Sequence, residues 1–260
     1  MTAPSVRQRV LSGDTVAGAM VFEFFSPGIS TVLQNSGCEY VIYDMEHTGL
    51  SLETFKTMVA TCRGLPVEPM VRVPRGEYAF LARALDVGAR GVMIPMVESA
   101  EQAMEIASAC RYPPVGRRGA AFGFAHDDYA GGSVADKIQH ANDTNLVIAQ
   151  IETERGLENL EAIAAVPGID VLWLGHFDLT NFLGIPGQFD HPDFQKALER
   201  IAQVAKANNK AAGFMATDDV WIKRVTDAGY TMIAVGTDMG LVGAGASALV
   251  RSVTTATKEV

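Results

Sequence analysis

The sequence predicts an α/β fold, a (β/α)8 TIM barrel built as a single domain over residues 1–260. Three observations predict it. Eight apolar runs of strand length recur along the chain, rich in Val, Ile, Met and Leu and without strict polar alternation. That is the pattern of parallel strands covered on both faces. Helix-like segments with start and stop signals lie between them, and repeated strand–helix units with right-handed crossovers close a barrel. The alternative, an open doubly wound sheet, usually carries a Gly-rich phosphate turn after its first strand, and VFEFFSPG is not GxGxxG.

The runs cover roughly residues 15–24, 39–46, 68–74, 91–96, 146–152, 171–177, 210–216 and 231–236. Between them, Ser51–Arg63 opens with an N-cap serine and has Thr54 three residues on, a cap without the full capping box. Tyr78–Val87 ends at Gly88, a helix-stop signal. Glu98–Arg111 runs into Pro113-Pro114, and Thr153–Ala165 stops before Pro167-Gly168. His191–Asn208 repeats Phe194, Ala197, Leu198, Ile201 and Val204 near the 3.6-residue period, and Asp218–Ala228 ends at Gly229. One segment breaks the rhythm: Tyr112–Asn145 separates the fourth and fifth strands by more than a loop, and such insertions are usually functional or ordered by partners. Its His126, Asp127 and Asp128 read as part of a lid or a subunit contact. The terminal segment Met239–Val260 is Ala-rich and amphipathic, placed to cover its own barrel or a neighbour's. No linker or low-complexity tract divides the chain.

Composition narrows the function classes. The chain is 48% hydrophobic and 20% charged, with a net charge of −9 and a pI near 5.0. Nucleic-acid binding usually needs a basic face, so it is not expected. An anionic ligand would need local positive charge, from Arg72 or a metal. The three cysteines, Cys38, Cys62 and Cys110, are widely spaced with no CxxC pattern, which reads as small buried side chains in a reducing compartment. No charged-then-apolar leader opens the chain, and no run approaches the ~18 apolar residues of a membrane span. A cytoplasmic protein with no membrane partner is expected.

Barrel chemistry sits at the carboxyl ends of the strands, and four runs end there on polar residues. VIYDMEH carries Asp44, Glu46 and His47; PMVRV carries Arg72; LVIAQIE carries Gln150 and Glu152; VLWLGHFD carries Asp178. Glu152 and Asp178 end consecutive strands. Two carboxylates without cysteine favour a hard divalent ion, Mg²⁺ or Mn²⁺, completed by water and substrate oxygens; salt-bridged loop carboxylates are the plainer reading. Arg72 lies in an apolar strand, where its planar fork suits a carboxylate or a carbonyl oxygen gaining charge; a structural pair with Asp44 or Glu46 is the alternative. His47 suits proton transfer near neutral pH, with Asp44 or Asp86 to fix its tautomer, or is a hydrogen-bonded structural histidine. Gln150 shares a strand face with Glu152 and reads as a donor to substrate or as a buried amide. Gly175 opens a turn whose backbone N–H groups, including that of Phe177, form an anion nest. His176 lines the mouth, serves as a third metal ligand, or packs. Arg75 reads as surface.

Taken in order, YDMEHTGLS, VRVP, LDVGARGVMIPMVESAEQA, RYPPVGRRG, QIETERGLENL, GHFDLT and AVGTD resemble the HpcH/HpaI family of class II aldolases over nearly the whole chain. The resemblance implies a pyruvate-type nucleophile held by a divalent metal (Mg²⁺ or Mn²⁺, with Co²⁺ an option) through its carboxylate and ketone. It implies Glu152 and Asp178 as metal ligands and Arg72 as the residue that steadies an enolate. It implies His47 as the acid–base group with Asp86 of LDVG as its acidic partner, and Gln150 with the Gly175–Phe177 amides as 2-oxoacid contacts. The expected activity is reversible cleavage of a 4-hydroxy-2-oxoacid to pyruvate, or a related 2-oxoacid, and an aldehyde. The family's homo-oligomers, trimers or hexamers with swapped terminal helices, give the C-terminal segment a role. Two departures leave the aldehyde open: GPADLS is GHFDLT here, and the insertion's FGFAHDDYAGG differs. The other readings are a lyase acting on CoA thioesters of the malyl or citryl type, for which Arg117-Arg118 is the one basic pair, an oxaloacetate decarboxylase or cycloaddition enzyme of macrophomate-synthase type, and a 2-oxoacid binder without turnover. No lysine falls at a strand end for a Schiff base.

Overall fold

A computed structural model describes residues 4–256, so the ends of the sequence-expected domain, residues 1–3 and 257–260, lie outside the described residues. Eight strands form a closed parallel barrel in chain order: β1 (Val16–Val21), β2 (Tyr40–Asp44), β3 (Glu68–Arg72), β4 (Gly91–Ile94), β5 (Leu146–Ile151), β6 (Val171–Leu174), β7 (Ala211–Met215) and β8 (Met232–Thr237). The helices are α1 (Val6–Ser12), α2 (Ile29–Asn35), α3 (Leu52–Thr61), α4 (Tyr78–Asp86), α5 (Ala100–Cys110), α6 (Val134–Thr144), α7 (Glu154–Glu158), α8 (Leu160–Ala164), α9 (His176–Phe182), α10 (Pro192–Ala207), α11 (Asp219–Ala228) and α12 (Asp238–Ala256). The barrel expectation holds.

Alternation along each strand splits the core in two. Val16, Met20, Tyr40, Ile42, Met70, Met93, Leu146, Ile148, Val171, Trp173 and Met232 fill the barrel, and Val6 and Val10 of α1 close its amino end. The other strand face, with Val41, Tyr43, Val71, Val92, Val147 and Leu172, packs under the helices. Both faces are dry, which is why the runs read as continuously apolar. Inside, small residues make room for large ones: a Cβ on Gly213 would overlap the Trp173 indole.

Three expectations change. The runs overshoot the strands at their carboxyl ends: the ladder stops at Asp44, Ile151 and Leu174. Glu46, His47 and Glu152 therefore sit just past it, and Asp178 lies in the first turn of α9. The single helix read over Thr153–Ala165 is two, because Asn159 interrupts it and donates its side-chain amide to Glu98 O at 2.8 Å and Arg155 O at 3.1 Å. The insertion is no bare loop. It holds a 3-10 turn (Ala125–Asp127) and α6, joined to each other by Lys137–Asp127 at 2.6 Å and pinned towards the amino end of the barrel by Arg63–Asp128 at 3.1 Å and Arg90–Asp128 at 3.6 Å. It does not form a lid over this chain's own mouth.

All three cysteines are free and buried. Every described side chain of α12 from Met239 to Thr255 is exposed, so the reading in which this segment covers its own barrel is not what the chain does. No helix among the described residues is long and apolar enough to cross a membrane.

Candidate active site

The inward-facing positions of the last strand layer build the mouth. Asp44 and Arg72 are register partners at the ends of β2 and β3, and Arg72 Nε donates to Asp44 Oδ1 at 2.6 Å. Asp44 is fully buried. It also accepts the backbone N–H groups of Glu46 at 3.2 Å and His47 at 3.0 Å, an Asx turn that swings both residues over the barrel. Glu46 Oε2 then stands 3.2 Å from Arg72 Nε and 3.6 Å from His47 Nε2. The carboxylate beside the imidazole is thus Glu46, neither Asp44 nor Asp86. Arg72 is paired as the structural reading expected, yet its Nη2 is buried with no acceptor, leaving one strong donor aimed at the mouth. The Phe22 ring lies 5.3 Å from its guanidinium carbon. The backbone that carries that ring is held by Asp238, which accepts the main-chain N–H groups of Phe22, Glu23 and Phe24 at 3.0, 3.1 and 2.6 Å.

Glu152 is nearly fully buried one residue beyond β5. Both oxygens are aimed: Met96 N–H donates to Oε1 at 2.8 Å, and the Gln150 amide donates to Oε2. Gln150 Oε1 is buried without a partner. Burial pushes the Glu152 carboxyl up to about 7, against the two donors and with the help of Glu46 and Asp178. Glu46 is also raised, first by burial and then by Asp44 and Asp178, with Arg72 acting against the rise. Gly175 lies directly against this group, since a Cβ there would overlap the Glu152 carboxylate and the Gln150 amide. Asp178 faces the same cleft of about 310 Å³, which His47, Arg72, Gln150 and Phe177 also line. Gly175 supplies no side-chain cap to α9, so the first-turn N–H groups have no intrahelical partner.

Asp44 and Glu46 thus hold the Arg72 guanidinium, while Glu46 and Asp178 both act on the Glu152 carboxylate. The repulsion among these carboxylates, the oriented Glu152 oxygens and the orphaned Gln150 oxygen fit a hard divalent cation completed by water or ligand oxygens. Among the described residues no three His, Cys, Asp or Glu side chains form a ready-made metal cage.

One expected residue, Asp86, stands elsewhere, and His176 lines the cleft as a packed ring. Asp86 ends α4, which runs back from the mouth for about 12 Å at 1.5 Å per residue, and its carboxylate takes Arg118 Nη2 at 2.6 Å. Within one chain it does not meet His47. His176 is buried among Phe177, Phe189, Phe214 and Trp221, with ring centroids 4.5 to 5.8 Å away. Desolvation lowers its pKa to about 4, so it packs as a neutral ring. His126, Asp127 and Asp128 are tied within the insertion and to Arg63, Arg90 and Lys137. Phe22, Met96 and Asp238 were not anticipated. Only Asp238, two residues past the eighth run and the last residue of AVGTD, carried a signal in the sequence.

This arrangement, a barrel mouth with a buried arginine and paired carboxylates at the ends of β5 and β6, defines a class, and comparison agrees with it. Residues 20–244 match the family model for HpcH/HpaI aldolase/citrate lyase, and the chain belongs to that family of carbon–carbon lyases. It is 34% identical over 244 residues to a hydroxypyruvate/pyruvate aldolase of Roseobacter denitrificans, covering 93% of this chain and 94% of that one. It is 35% identical over 216 residues to a 5-keto-4-deoxy-D-glucarate aldolase of Shigella boydii, covering 83% of each. The crystal structure of an HpcH/HpaI aldolase from Desulfitobacterium hafniense aligns with a TM-score of 0.91 at 29% identity, covering 96% of this chain and 97% of that one.

Proposed function

We propose that this protein is a divalent-metal-dependent aldolase that cleaves, and in reverse forms, the C3–C4 bond of a 4-hydroxy-2-oxoacid, with pyruvate or a related 2-oxoacid and an aldehyde as products. The observation that carries the reading is the Glu152 carboxylate, buried beside Asp178 with each oxygen held by its own donor, in a mouth that Arg72 also lines. The aldolase names of two relatives at about a third identity support it.

Glu152 and Asp178 would hold Mg²⁺, Mn²⁺ or Co²⁺. When bound, the ion supplies positive charge that polarises the 2-oxo group and offsets charge developing there. Arg72 directs its free Nη2 at the same oxygen and stabilises the enolate as it forms. Gln150 and the first-turn amides from Gly175 to Phe177 seat the 2-oxoacid, the amides facing its carboxylate. His47, with Glu46 beside it, takes the proton from the C4 hydroxyl. The C4 oxygen becomes the aldehyde carbonyl, the C3–C4 electron pair moves into the enolate, and C3 takes up a proton to give the methyl group. The reverse sequence is the aldol addition.

A role for Asp86 beside His47 requires a second copy of the chain. A homo-oligomer is part of the proposal, supported by the exposed apolar side chains Leu241, Val242, Leu249 and Val250 along α12. The thioester-lyase reading loses its basic pair, because Arg118 is buried against Asp86 and Tyr112. The deciding experiment is NMR proton–deuterium exchange of the pyruvate methyl group with chelator and with added Mg²⁺, Mn²⁺ or Co²⁺. Metal-dependent exchange is expected; no exchange with any of these ions would overturn the aldolase reading.

A further inference from the structure

We propose that Gln102, on the first turn of α5, is a positioning residue that sets metal affinity by holding the backbone of Met96 against Glu152. The inference rests on the metal-site reading of Glu152 given above.

Met96 has φ +50°, a left-handed conformation that L side chains rarely adopt. In this conformation its N–H donates to Glu152 Oε1 at 2.8 Å. A methionine does not choose that geometry, so something must impose it. Gln102 does so from both sides. Its Nε2 donates to Met96 O at 3.2 Å, and its Oε1 accepts the Glu98 N–H at 2.9 Å. The side chain thereby spans the loop between β4 and α5. Gln102 sits at the third position of α5, and its own N–H is fixed by the N-cap Ser99 at 3.2 Å, so the clamp has a rigid base. Three further contacts pin the rest of the loop. Val97 N–H donates to Gln150 O at 3.1 Å, Asn159 donates to Glu98 O at 2.8 Å, and Gly156 leaves room for Val97 O where a Cβ would meet it at 2.7 Å.

The chain of contact therefore runs Gln102, Met96 carbonyl, Met96 N–H, Glu152 Oε1. Gln150 fixes the other oxygen, so a cation would meet the lone pairs of Glu152 that these donors leave free. Residues that orient a ligating group from behind typically change metal affinity by about 10–100-fold when removed.

The test is Mn²⁺ binding to the intact protein, read from the loss of the free-ion EPR signal, with thermal unfolding measured on the same samples. Gln102→Ala should weaken Mn²⁺ binding about tenfold or more. Gln102→Glu keeps the acceptor for Glu98 N–H but loses the donor to Met96 O, so it should weaken binding even if the alanine variant fails to fold. Glycine adopts positive φ without strain, so adding Met96→Gly to Gln102→Ala should restore most of the affinity. Wild-type affinity in both single variants would overturn the inference, and loss without rescue would overturn the route through Met96. If the wild type binds no Mn²⁺, or Glu152→Gln binds it as the wild type does, the metal-site reading itself falls and this inference with it.

Discussion

From about pH 5 to about pH 8, divalent-metal affinity should follow the ionisation of Glu152. Burial lifts its carboxyl from 4.5 to about 7, with Glu46 and Asp178 adding to the rise and the Met96 and Gln150 donors opposing it. The folded chain then keeps this proton to about pH 7, whereas the unfolded chain releases it near 4.5. A raised carboxyl contributes stability that is complete below the unfolded value and is lost as pH climbs through the folded one. The rise corresponds to about 3 kcal/mol. Metal binding has the opposite dependence, since the ion needs the carboxylate: each pH step below about 7 should weaken it by up to about tenfold. Mn²⁺ titrations at a series of pH values measure the affinity, and urea unfolding of chelator-treated protein measures the stability. Glu68, buried at the amino end, is also raised to about 7 and gives the same sign in the unfolding data. Glu152→Gln separates the two, because it should remove the affinity and take away Glu152's share of the slope, leaving that of Glu68 and the raised Glu46 against the opposite trend of His176, whose lowered pKa makes stability rise with pH. Mn²⁺ affinity that is flat across this range, or a Glu152→Gln protein with the wild-type stability slope, would refute the reasoning.

Other outcomes follow from the same geometry. Asp44→Ala strands the buried Arg72 and releases the turn carrying Glu46 and His47, so urea unfolding should record a loss of about 3–5 kcal/mol. Arg72→Ala should abolish pyruvate methyl exchange while leaving Mn²⁺ binding measurable, because the residue acts on the enolate and does not ligate the ion. His47→Ala, at a half-exposed position that packs little, should leave stability unchanged and slow aldol turnover by about 10²–10⁴-fold. Gly175→Ala puts a methyl group where the Glu152 carboxylate lies, and Mn²⁺ affinity should fall about 10–100-fold.

The barrel was legible because parallel strands buried on both faces leave an unmistakable apolar run, and glycine and proline punctuate the helices between. The candidate ligands were legible for a related reason: Arg72, Gln150, Glu152 and Asp178 are polar residues at the ends of such runs, where burial without purpose is costly. Boundaries were less so. The apolar runs continue past the last ladder bond, which is why Asp178 appeared to end a strand when it begins α9.

Contacts between residues distant in sequence were decided only by tertiary structure. No local pattern says that Glu46 rather than Asp86 neighbours His47, because the choice depends on the direction in which α4 leaves the mouth. Nor does a methionine in MIPMVES announce a positive φ, since the clamp that imposes it comes from Gln102 and the N–H it presents serves Glu152 on another strand. His176 could be a ligand or a packed ring until Phe189, Phe214 and Trp221 close around it. The sequence by itself determined the barrel and the kinds of group at its mouth, because period and burial are local properties of the chain. Pairing, orientation and proton affinity were left to the fold, because each depends on desolvation and charge contributed by segments that meet only when the barrel closes.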